Sequence, residues 1–390
     1  MATVWTTKKL SDCVSFRTGK LNSNAAVENG EYPFFTCSQE IYKTDKWAFD
    51  TECVLLGGNN ASAIYPIFYY KGKFNAYQRT YVIEPKGHNQ IRFFYYLILR
   101  KLDELKDKST GAATRFLTIK ILHNIDVSLP DVPTQTRIAS VLSAYDDLIE
   151  NNEKRIKALE EMAQLLYTEW FVKFKFPGHE KVKMIDSKTE YGVIPEGWEF
   201  VSLFDLTSIL SGGTPKTDES KYWNGEIKFY TPKDAIDSPY VIETERTLTK
   251  VGLERCNSQL YPQNTVFITA RGTVGNVNLS GENMAINQSC YALIGSQSID
   301  QYFLFISIKN AVIQLKSKTH GAVFATIIID TFKHIKVVKP TAETMQAFSK
   351  LVDPIFKKIL VIQKKNQVLS KIRHLLIPQL VTGKRRLKKT

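Results

Sequence analysis

Two sets of short polar loops carry the residues of this chain that are best suited to chemistry, and that chemistry is the recognition of nucleic acid. Glycines in these loops allow the backbone to approach a phosphate closely. Arginine suits guanine and asparagine or glutamine suits adenine, while many cationic side chains contact phosphate instead. The candidate DNA-binding residues are Lys20, Ser38, Asn59, Asn60, Gln78 and Arg79 in the first set, and Lys216, Lys233, Arg271, Thr273, Asn287 and Gln288 in the second.

The composition of the chain favours a polyanionic partner. Its 390 residues carry a formal net charge of +13 with a pI near 9.3, and nucleic acid is the commonest partner of such a basic protein. A basic protein that binds no nucleic acid is the alternative. A hydrophobic fraction of 43% with 12% aromatic residues is enough for two globular domains with sizeable cores.

The cysteines and the hydropathy pattern indicate a cytoplasmic protein. Five cysteines are widely spaced and form no CxxC pair, which argues against disulfides and against a zinc site. No apolar run at the start resembles a signal peptide, and no stretch is long enough to cross a bilayer. We therefore expect a soluble protein with no metal site and no membrane partner.

Catalytic motifs are weak by comparison. The sequence has no P-loop, no GxGxxG that opens a helix after a strand, and no HExxH. Asp218 with Glu226 and Lys228 could form a metal-assisted nuclease site. The matching Glu31 of the first block has no lysine two residues later, however, so a turn and a strand explain these residues better. The sequence predicts no catalytic residue.

The two sets of loops belong to a duplicated block. Leu10 and Gly19 recur 193 residues later as Leu203 and Gly212. Further along the offset becomes 210, as for Gln78 and Gln288, and it keeps that value to the C-terminal helix. Ordered matches of this kind indicate an internal repeat. In the first block, the residue pattern predicts strands near 33–37, 53–56, 64–70 and 77–83 and a helix over 91–105.

A long amphipathic helix follows each block and must position the loops. Seam residues recur at alternating steps of four and three from Ile138 to Trp170, and again from Phe348 to Leu380. This spacing predicts the seam of a helix pair. Asp131 precedes the first helix and is expected to cap it, whereas Pro354 is expected to bend the second.

Antiparallel pairing of the two seams sets Asn152 against Asn366. A buried asparagine costs stability unless it meets a polar partner, and such a pair then fixes register and orientation. A loose, hydrated place in the seam is the alternative. Glutamates of the first helix are expected to pair with lysines of the second. The residues predicted to form the helix pair are Asn152, Asn366, Ile149, Ile156, Ile359 and Ile362.

The sequence therefore predicts an α+β fold with two similar globular domains separated by two long antiparallel coiled-coil helices, related by an internal pseudo-two-fold repeat. From Ile138 to Trp170 the first helix should span about 48 Å, at roughly 1.5 Å per residue. The expected boundaries are 1–130 for the first domain, 131–176 for the first helix, 177–197 for a linker, 198–340 for the second domain, 341–383 for the second helix and 384–390 for a basic tail.

Several motifs, in their order and spacing, resemble one known family along essentially the whole chain. They occupy residues 159–166, 170–174, 194–198, 211–215, 271–275 and 375–383, and include Ser211-Gly212-Gly213-Thr214-Pro215 and Arg271-Gly272-Thr273. Together they resemble the specificity subunit of type I restriction-modification systems. The first block departs from the family pattern where residues 55–60 replace the Arg-Gly-Thr element.

The resemblance implies a non-catalytic subunit rather than an enzyme. Each globular domain would be a target-recognition domain that reads one half of a bipartite, asymmetric double-stranded DNA target. The long helices would dock two methyltransferase subunits, and restriction subunits would join the full complex. S-adenosylmethionine, ATP and Mg²⁺ would belong to those partners, with no cofactor in this chain. The alternatives are a stand-alone restriction endonuclease or methyltransferase with a duplicated recognition region, and a scaffold that binds the partners without DNA.

A turn of helix inserted in the pair of long helices should lengthen the preferred spacer between the two half-sites. The physical reason is that antiparallel helices with one domain at each end would set the distance between the surfaces that read DNA. Methylome sequencing of cells that express the wild-type or the lengthened chain measures the spacer. An unchanged spacer would contradict the idea of a helical ruler.

Overall fold

A computed structural model of the protein describes residues 5–61, 64–111, 114–189, 192–296, 298–318 and 326–387. The predicted basic tail is therefore described as far as Leu387. The chain forms two compact units, of which the first comprises Met1–Glu150 with Val368–Thr390 and the second Asn151–Gln367. Each unit contains one copy of the repeated block and a part of both long helices. The fold is α+β, as the sequence predicts.

The first unit is built on a mixed sheet whose strand order is β2-β8-β5-β7-β3-β4 within the described residues. Neighbouring strands are antiparallel, except for the parallel pair β3 and β7. Its elements are β1 Thr6–Lys9, α1 Leu10–Cys13, β2 Val14–Thr18, β3 Tyr32–Phe35, β4 Tyr42–Thr44, β5 Phe49–Gly57, β6 Asn59–Asn60, β7 Ile67–Ala76, β8 Thr80–Pro85, α2 Ile91–Arg100, α3 Leu102–Lys108, β9 Arg115–Phe116, α4 Ile119–His123 and β10 Asp126–Leu129, followed by the long helix α5 Val132–Tyr167.

The predicted elements of the first block all overlap observed ones, with one difference. Strands β3, β5, β7 and β8 lie at the four predicted places, but the predicted helix over 91–105 is two helices, α2 and α3. The backbone of Lys101 (φ −89°, ψ 2°) leaves the helical range between them, and its N–H donates to the carbonyl of Ile98, three residues earlier. The sequence carries no glycine or proline at this break, so periodicity alone could not locate it.

The second unit contains the second copy of the block. Within the described residues its sheets have the strand orders β14-β21-β18-β19-β16, β17-β15-β20, β13-β22 and β11-β12. Its elements are β11 Met184–Asp186, β12 Val193–Pro195, β13 Glu199–Ser202, α6 Leu203–Leu206, β14 Thr207–Ser211, β15 Trp223–Tyr230, β16 Tyr240–Val241, β17 Arg246–Leu248, α7 Lys250–Glu254, β18 Val266–Thr269, β19 Val277–Ser280, β20 Met284–Ile286, β21 Cys290–Gly295, α8 Gln301–Lys318, α9 Ile329–His334, β22 Lys336–Lys339 and the long helix α10 Ala342–Val381.

The sequence repeat corresponds to repeated hydrogen bonds. The backbone N–H of Leu10 donates to the carbonyl of Ile125 at 2.8 Å, and that of Leu203 donates to Ile335 at 2.9 Å. The antiparallel pair of β1 and β10 likewise has its counterpart in β13 and β22. These bonds join the beginning of each block to its end. Each copy is therefore closed upon itself immediately before its long helix.

Helix α5 begins as the sequence predicts. The backbone N–H of Thr134 donates to a carboxylate oxygen of Asp131 at 2.9 Å, which satisfies one of the free amides at the helix start. The α-helical hydrogen bonding ends at Tyr167 and continues as one π-helical turn over Thr168–Val172. Among the described residues, no helix is long and apolar enough to cross a lipid bilayer.

In the second unit the long helices pack antiparallel, with an asparagine pair inside the seam. The side-chain amide of Asn152 donates to Oδ1 of Asn366 at 2.7 Å, which is the pair that the sequence register predicts. Asn152 is 1% exposed, and the rings of Trp170 and Phe348 meet further along with centroids 5.8 Å apart. The predicted seam residues Ile156, Ile359 and Ile362 are buried in the same core, whereas Ile149 is half-buried.

The structure bears on two expectations about the long helices. Helix α10 continues through Pro354, whose side chain is exposed, and the bend expected there stays a prediction. Two of the residues expected to pair between the long helices, Glu160 and Lys357, have other partners. Glu160 pairs with Lys309 of α8 at 3.3 Å, and burial raises the pKa of its carboxyl group. Lys357 pairs with Asp353 of its own helix at 2.8 Å. For Lys357, a partner one turn away on its own helix is within easy reach.

The block of the first unit is fastened to the long helices by polar groups. The hydroxyl of Tyr96 in α2 and the guanidinium of Arg373 in α10 both donate to the carboxylate of Asp146 in α5. Burial, with the hydrogen bond to Asp146, raises the pKa of Tyr96, so this hydroxyl stays a donor at neutral pH. Arg92 adds an ion pair to Asp147 at 2.6 Å. We call these residues the polar anchor.

The second unit uses apolar groups at the repeat-related positions. Counted at the offset of 210, Asp146 corresponds to Phe356, Tyr96 to Ile306, and Arg92 to Tyr302. The rings of Tyr302 and Phe356 are stacked with centroids 4.4 Å apart and an interplanar angle of 3°. Ile306 is buried in the same core. The two copies thus have matching backbone positions. Polar contacts fasten the block to the long helices in the first unit, and apolar packing does so in the second.

We expect Asn152→Ala to lower the free energy of unfolding by about 1–3 kcal/mol, because it removes the hydrogen bond between the two amides in the seam. Replacing both residues by leucine should recover most of that loss, because no polar group then remains unpaired. Chemical denaturation of Asn152→Leu, Asn366→Leu and the double leucine variant measures the coupling. Asn151→Ala, at the exposed neighbouring position, is the control. Additive effects of the two substitutions would contradict the pairing.

Candidate nucleic-acid interface

In the first unit, the loops that carry the candidate residues meet at the turn Tyr77–Thr80. The N–H of Tyr77 donates to the carbonyl of Phe35 at 2.9 Å, and the N–H of Gln78 donates to that of Leu21 at 2.9 Å. The carbonyl of Arg79 accepts from the N–H of Gly58 at 2.8 Å. These backbone bonds fix the loops after β2, β3 and β5 to one turn. Lys20, Ser38, Asn59 and Asn60 lie within one to three residues of the bonded positions and therefore share one surface with Gln78 and Arg79.

The second unit repeats this arrangement at the turn Asn287–Cys290. The N–H of Asn287 donates to the carbonyl of Tyr230 at 3.0 Å, and the carbonyl of Ser289 accepts from Ala270 at 2.8 Å and from Arg271 at 3.3 Å. Since Gly58 and Ala270 donate to equivalent carbonyls, Arg271 occupies the place that Asn59 has in the first unit. The same backbone scaffold therefore presents different side chains in the two units.

Side-chain bonds join the loops of the second unit further. The hydroxyl of Thr214 donates to the side-chain oxygen of Gln288, and that of Thr273 donates to the carbonyl of Pro232 at 3.2 Å. Lys233 follows Pro232, and Lys216 lies two residues after Thr214, with its carbonyl accepting from the indole N–H of Trp223 at 3.0 Å. The structure brings all six candidates of this set to one surface, namely Lys216, Lys233, Arg271, Thr273, Asn287 and Gln288.

The cationic candidates are available to a ligand. Lys20, Lys216, Lys233 and Arg271 are exposed, and within the described ranges none of these side chains makes an ion pair or a hydrogen bond. Exposed cations at one surface, without acidic partners, attract phosphate and base acceptors. Arg79 is also exposed, and its guanidinium lies over the ring of Phe116 at 5.3 Å, which orients it. The electrostatic requirement for nucleic acid is met in both units.

Some of the amide candidates also accept hydrogen bonds that stabilise the loops themselves. Oδ1 of Asn287 accepts from the N–H of Ser289 at 3.0 Å and so closes its own turn. Oδ1 of Asn60 accepts from the N–H of Ile64 at 3.4 Å. The side-chain oxygen of Asn59 is buried with no hydrogen-bond partner among the described residues. Gln78 and Gln288 are the exposed amides of the two turns, and the side-chain oxygen of Gln288 accepts from the hydroxyl of Thr214.

The glycines of these loops serve a different purpose from the expected one. A Cβ atom at Gly19 would lie 1.7 Å from the carbonyl oxygen of Ala76, and one at Gly212 would lie 2.3 Å from that of Ile286. Both glycines are buried against the protein's own backbone, so the interpretation that they approach phosphate is wrong for them. Gly272 is different: it is exposed with φ of +78°, and a Cβ there would meet no atom closer than 3.8 Å.

Two titratable side chains lie beneath the loops, and both have raised pKa values. Cys290 at the end of the second turn is fully buried, and burial raises the pKa of its thiol, which keeps it protonated. Tyr81 beneath the first turn donates to the carbonyl of Leu117 at 2.7 Å, and burial raises its pKa too. Among the described residues, no group of three or more histidine, cysteine, aspartate or glutamate side chains could hold a metal ion.

The nuclease interpretation finds no support in the placement of its lysine. Lys228 lies on β15, where its ammonium group pairs with Glu282 at 2.9 Å and with Glu243 at 3.6 Å. Glu226 is exposed two residues earlier on the same strand. Lys228 therefore neutralises neighbouring carboxylates in the sheet.

One neighbour of the candidate residues was missed by sequence reasoning. A Cβ atom at Gly213 would lie 2.5 Å from the backbone nitrogen of Asn257, so the segment around Asn257 borders the loop of Thr214. A signal for it exists in the sequence. The repeat offset changes from 195 at Thr36 and Thr231 to 210 at Gln78 and Gln288, so the second block must contain extra residues between these points.

The match to known proteins decides the family. Residues 3–161 and 195–371 each match the model of the type I restriction modification DNA specificity domain. The chain belongs to this family. The two matched segments correspond to the two copies of the block, so this specificity subunit has two recognition domains. Members of the family recognise DNA without catalytic activity of their own, and they work in complexes with methyltransferase and restriction subunits.

Individual relatives agree with this assignment. The MjaIX specificity subunit of Methanocaldococcus jannaschii is 29% identical over 313 residues, which cover 78% of this chain and 71% of the relative. The HindI specificity subunit of Haemophilus influenzae is 24% identical, with 77% and 79% covered. The EcoDI specificity subunit of Escherichia coli is 38% identical over a shorter region that covers 42% and 35%.

A solved structure shares the fold. The crystal structure of the type I restriction-modification S subunit from M. genitalium matches with a TM-score of 0.62 and 15% sequence identity, covering 100% of this chain and 98% of that one. At this identity the likeness concerns the fold alone. It agrees with the arrangement of two similar α+β domains and two long helices.

Proposed function

We propose that this specificity subunit reads a bipartite, asymmetric DNA target, with one half-site for each recognition domain. The observation that carries the proposal is the repeated turn with unequal side chains. Arg271 stands where the first unit has Asn59, and Ser289 stands where it has Arg79. Equal backbones would present their readers to DNA in the same way, while unequal readers select different bases. Two different half-sites follow.

The chemistry of each surface divides between phosphate and base contacts. Lysines at the loop ends, such as Lys20 and Lys216, supply charge that binds any DNA sequence and loses strength as salt rises. Guanidinium and amide groups, such as Arg271, Gln78 and Gln288, have the hydrogen-bonding pattern that distinguishes bases in the major groove. The subunit would therefore bind DNA weakly everywhere and tightly at a site that satisfies both units.

The two long helices are proposed to dock two methyltransferase subunits. Met162 and Leu165 on α5 are 53% and 60% exposed, although they are large apolar residues. Ile372 and Leu375 on α10, at 38% and 63% exposed, occupy the same positions at the offset of 210. Exposed apolar pairs mark protein contacts. Two equivalent pairs fit two copies of one partner.

The cofactors are proposed to belong to the partners. S-adenosylmethionine would be bound by the methyltransferase subunits, and ATP with Mg²⁺ by the restriction subunits of the full complex. The role left to this chain is to select the site at which they act. We further propose that the spacer between the half-sites depends on α5 and α10, which are 36 and 40 residues long and contribute to both units.

Selection from a random DNA library by the full chain tests the bipartite target. The wild type should enrich two short conserved blocks separated by unread positions, whereas a single contiguous block would contradict the proposal. Arg271→Ala should weaken the preference at one position of one block by about 1–3 kcal/mol, because a guanidinium that pairs with a base is lost. Arg155→Ala, which removes an exposed arginine from α5, should change neither block.

Leu165→Lys and Leu375→Lys should each remove one methyltransferase subunit from the assembly, and the double variant should bind none. An unpaired ammonium buried in an interface costs several kcal/mol, so each docking site should weaken more than about 100-fold. Native mass spectrometry of the reconstituted complex counts the subunits directly. Ile313→Lys, at a 59% exposed position on α8, should leave two subunits bound. Two subunits retained by the single variants would exclude these docking positions.

A further inference from the structure

The second recognition domain contains an insertion that the first lacks. Thr44 ends the edge strand β4, which pairs with β3, and Leu248 ends the edge strand β17, which pairs with β15. The two ends are equivalent, because their partners Tyr32 and Ile227 match at the offset of 195. Ala48 and Tyr261 are also equivalent, because their N–H groups donate to the carbonyls of Phe74 and Met284 at 2.9 and 2.8 Å. The chain takes four steps between these points in the first unit and thirteen in the second. The extra residues include helix α7.

The end of this insertion lies beside the candidate interface. A Cβ atom at Gly213 would meet the backbone nitrogen of Asn257 at 2.5 Å and its Cβ at 3.0 Å. On the other side, the hydroxyl oxygen of Ser258 accepts from the N–H of Ile286 at 3.0 Å, directly before the turn Asn287–Cys290. Asn257 is thereby placed between the loop of Thr214 and the turn that carries Gln288.

Hydrogen bonds of residues near Asn257 fix the position of this segment, and the side-chain amide of Asn257 takes no part in them. Ser258 is bonded to Ile286, and the hydroxyl of Tyr261 donates to the carbonyl of Ser211 at 3.1 Å. Asn257 itself is exposed, and its side chain makes no hydrogen bond within the described part of the chain. Asn287 differs in this respect, because its amide closes its own turn. A residue that recognises a base needs a fixed backbone and a side-chain amide that is not bonded within the protein, and Asn257 has both.

We propose that Asn257 reads a base of the half-site bound by the second domain, which rests on the bipartite function proposed above. The amide presents a donor and an acceptor side by side, and this pattern fits the major-groove edge of adenine. Arg255, exposed two residues earlier, supplies a phosphate contact that positions the segment. The close approach of Gly213 explains why the loop needs its second glycine. The first domain has no equivalent residue, so its half-site is read with one element fewer.

Selection from a random DNA library with the full-length Asn257→Ala variant tests the proposal. Preference for one base, adjacent to the position sensitive to Gln288→Ala, should fall about 5- to 150-fold, and the other half-site should be unchanged. Asn151→Ala removes an exposed amide from α5 and is the matched control. Thermal unfolding of each variant, compared with the wild type, shows that the chain remains folded.

The possible outcomes separate this proposal from the function on which it rests. Loss of preference at a single position of the second half-site supports the reading role. Unchanged preference, or an equal loss of affinity for all sequences, overturns it and leaves Asn257 as a bystander or a phosphate contact. A wild type that enriches no pair of half-sites would overturn the bipartite function itself.

Discussion

The hydrogen bond between Asn152 and Asn366 is the constraint on which the rest of the second unit depends. Apolar seams tolerate slippage by a heptad, because isoleucine and leucine pack acceptably against many neighbours. The side chain of Asn152, which is 1% exposed, does not tolerate such slippage, because another register would separate it from Asn366. Once this pair is made, Trp170 must meet Phe348, and the block between them is closed at a defined place. One polar contact therefore fixes the register of the two long helices in this unit.

In the candidate nucleic-acid interface, different groups hold the loops in place and face the solvent at their tips. Backbone amides and carbonyls hold the loops to the turns Tyr77–Thr80 and Asn287–Cys290, and buried glycines such as Gly19 and Gly212 permit the close contact. Backbone bonds do not depend on side-chain identity, so residues at the loop tips can change without loss of the scaffold. Arg271 in place of Asn59 is an instance of this freedom. Under the proposed function, a fold organised in this way alters its target by substitution of a few exposed residues.

Sequence reasoning could predict features that are local or periodic, and it missed features that depend on distant backbone. The seam, the Asn152 pair and the cap at Asp131 follow from spacing along one helix and a repeat that relates it to the other. The place of Arg271 followed from the same repeat. Gly19 was misread because its neighbour, the carbonyl of Ala76, is more than fifty residues away and carries no pattern. The partner of Glu160 was missed for a similar reason, since charge alone does not show that α8 lies nearer than α10.

The different fastening of the two blocks has a consequence for how such subunits can evolve. The polar anchor places Asp146 and Arg373 on the long helices themselves, while its partner Tyr96 belongs to the block. A block transplanted from the second position to the first would bring Ile306 to a carboxylate, and the reverse exchange would bring Tyr96 to Phe356. Exchange of the two blocks within this chain thus carries a penalty in stability. A block is compatible with the first position when it brings polar side chains to Asp146 and Asp147, and with the second when it brings apolar ones to Phe356.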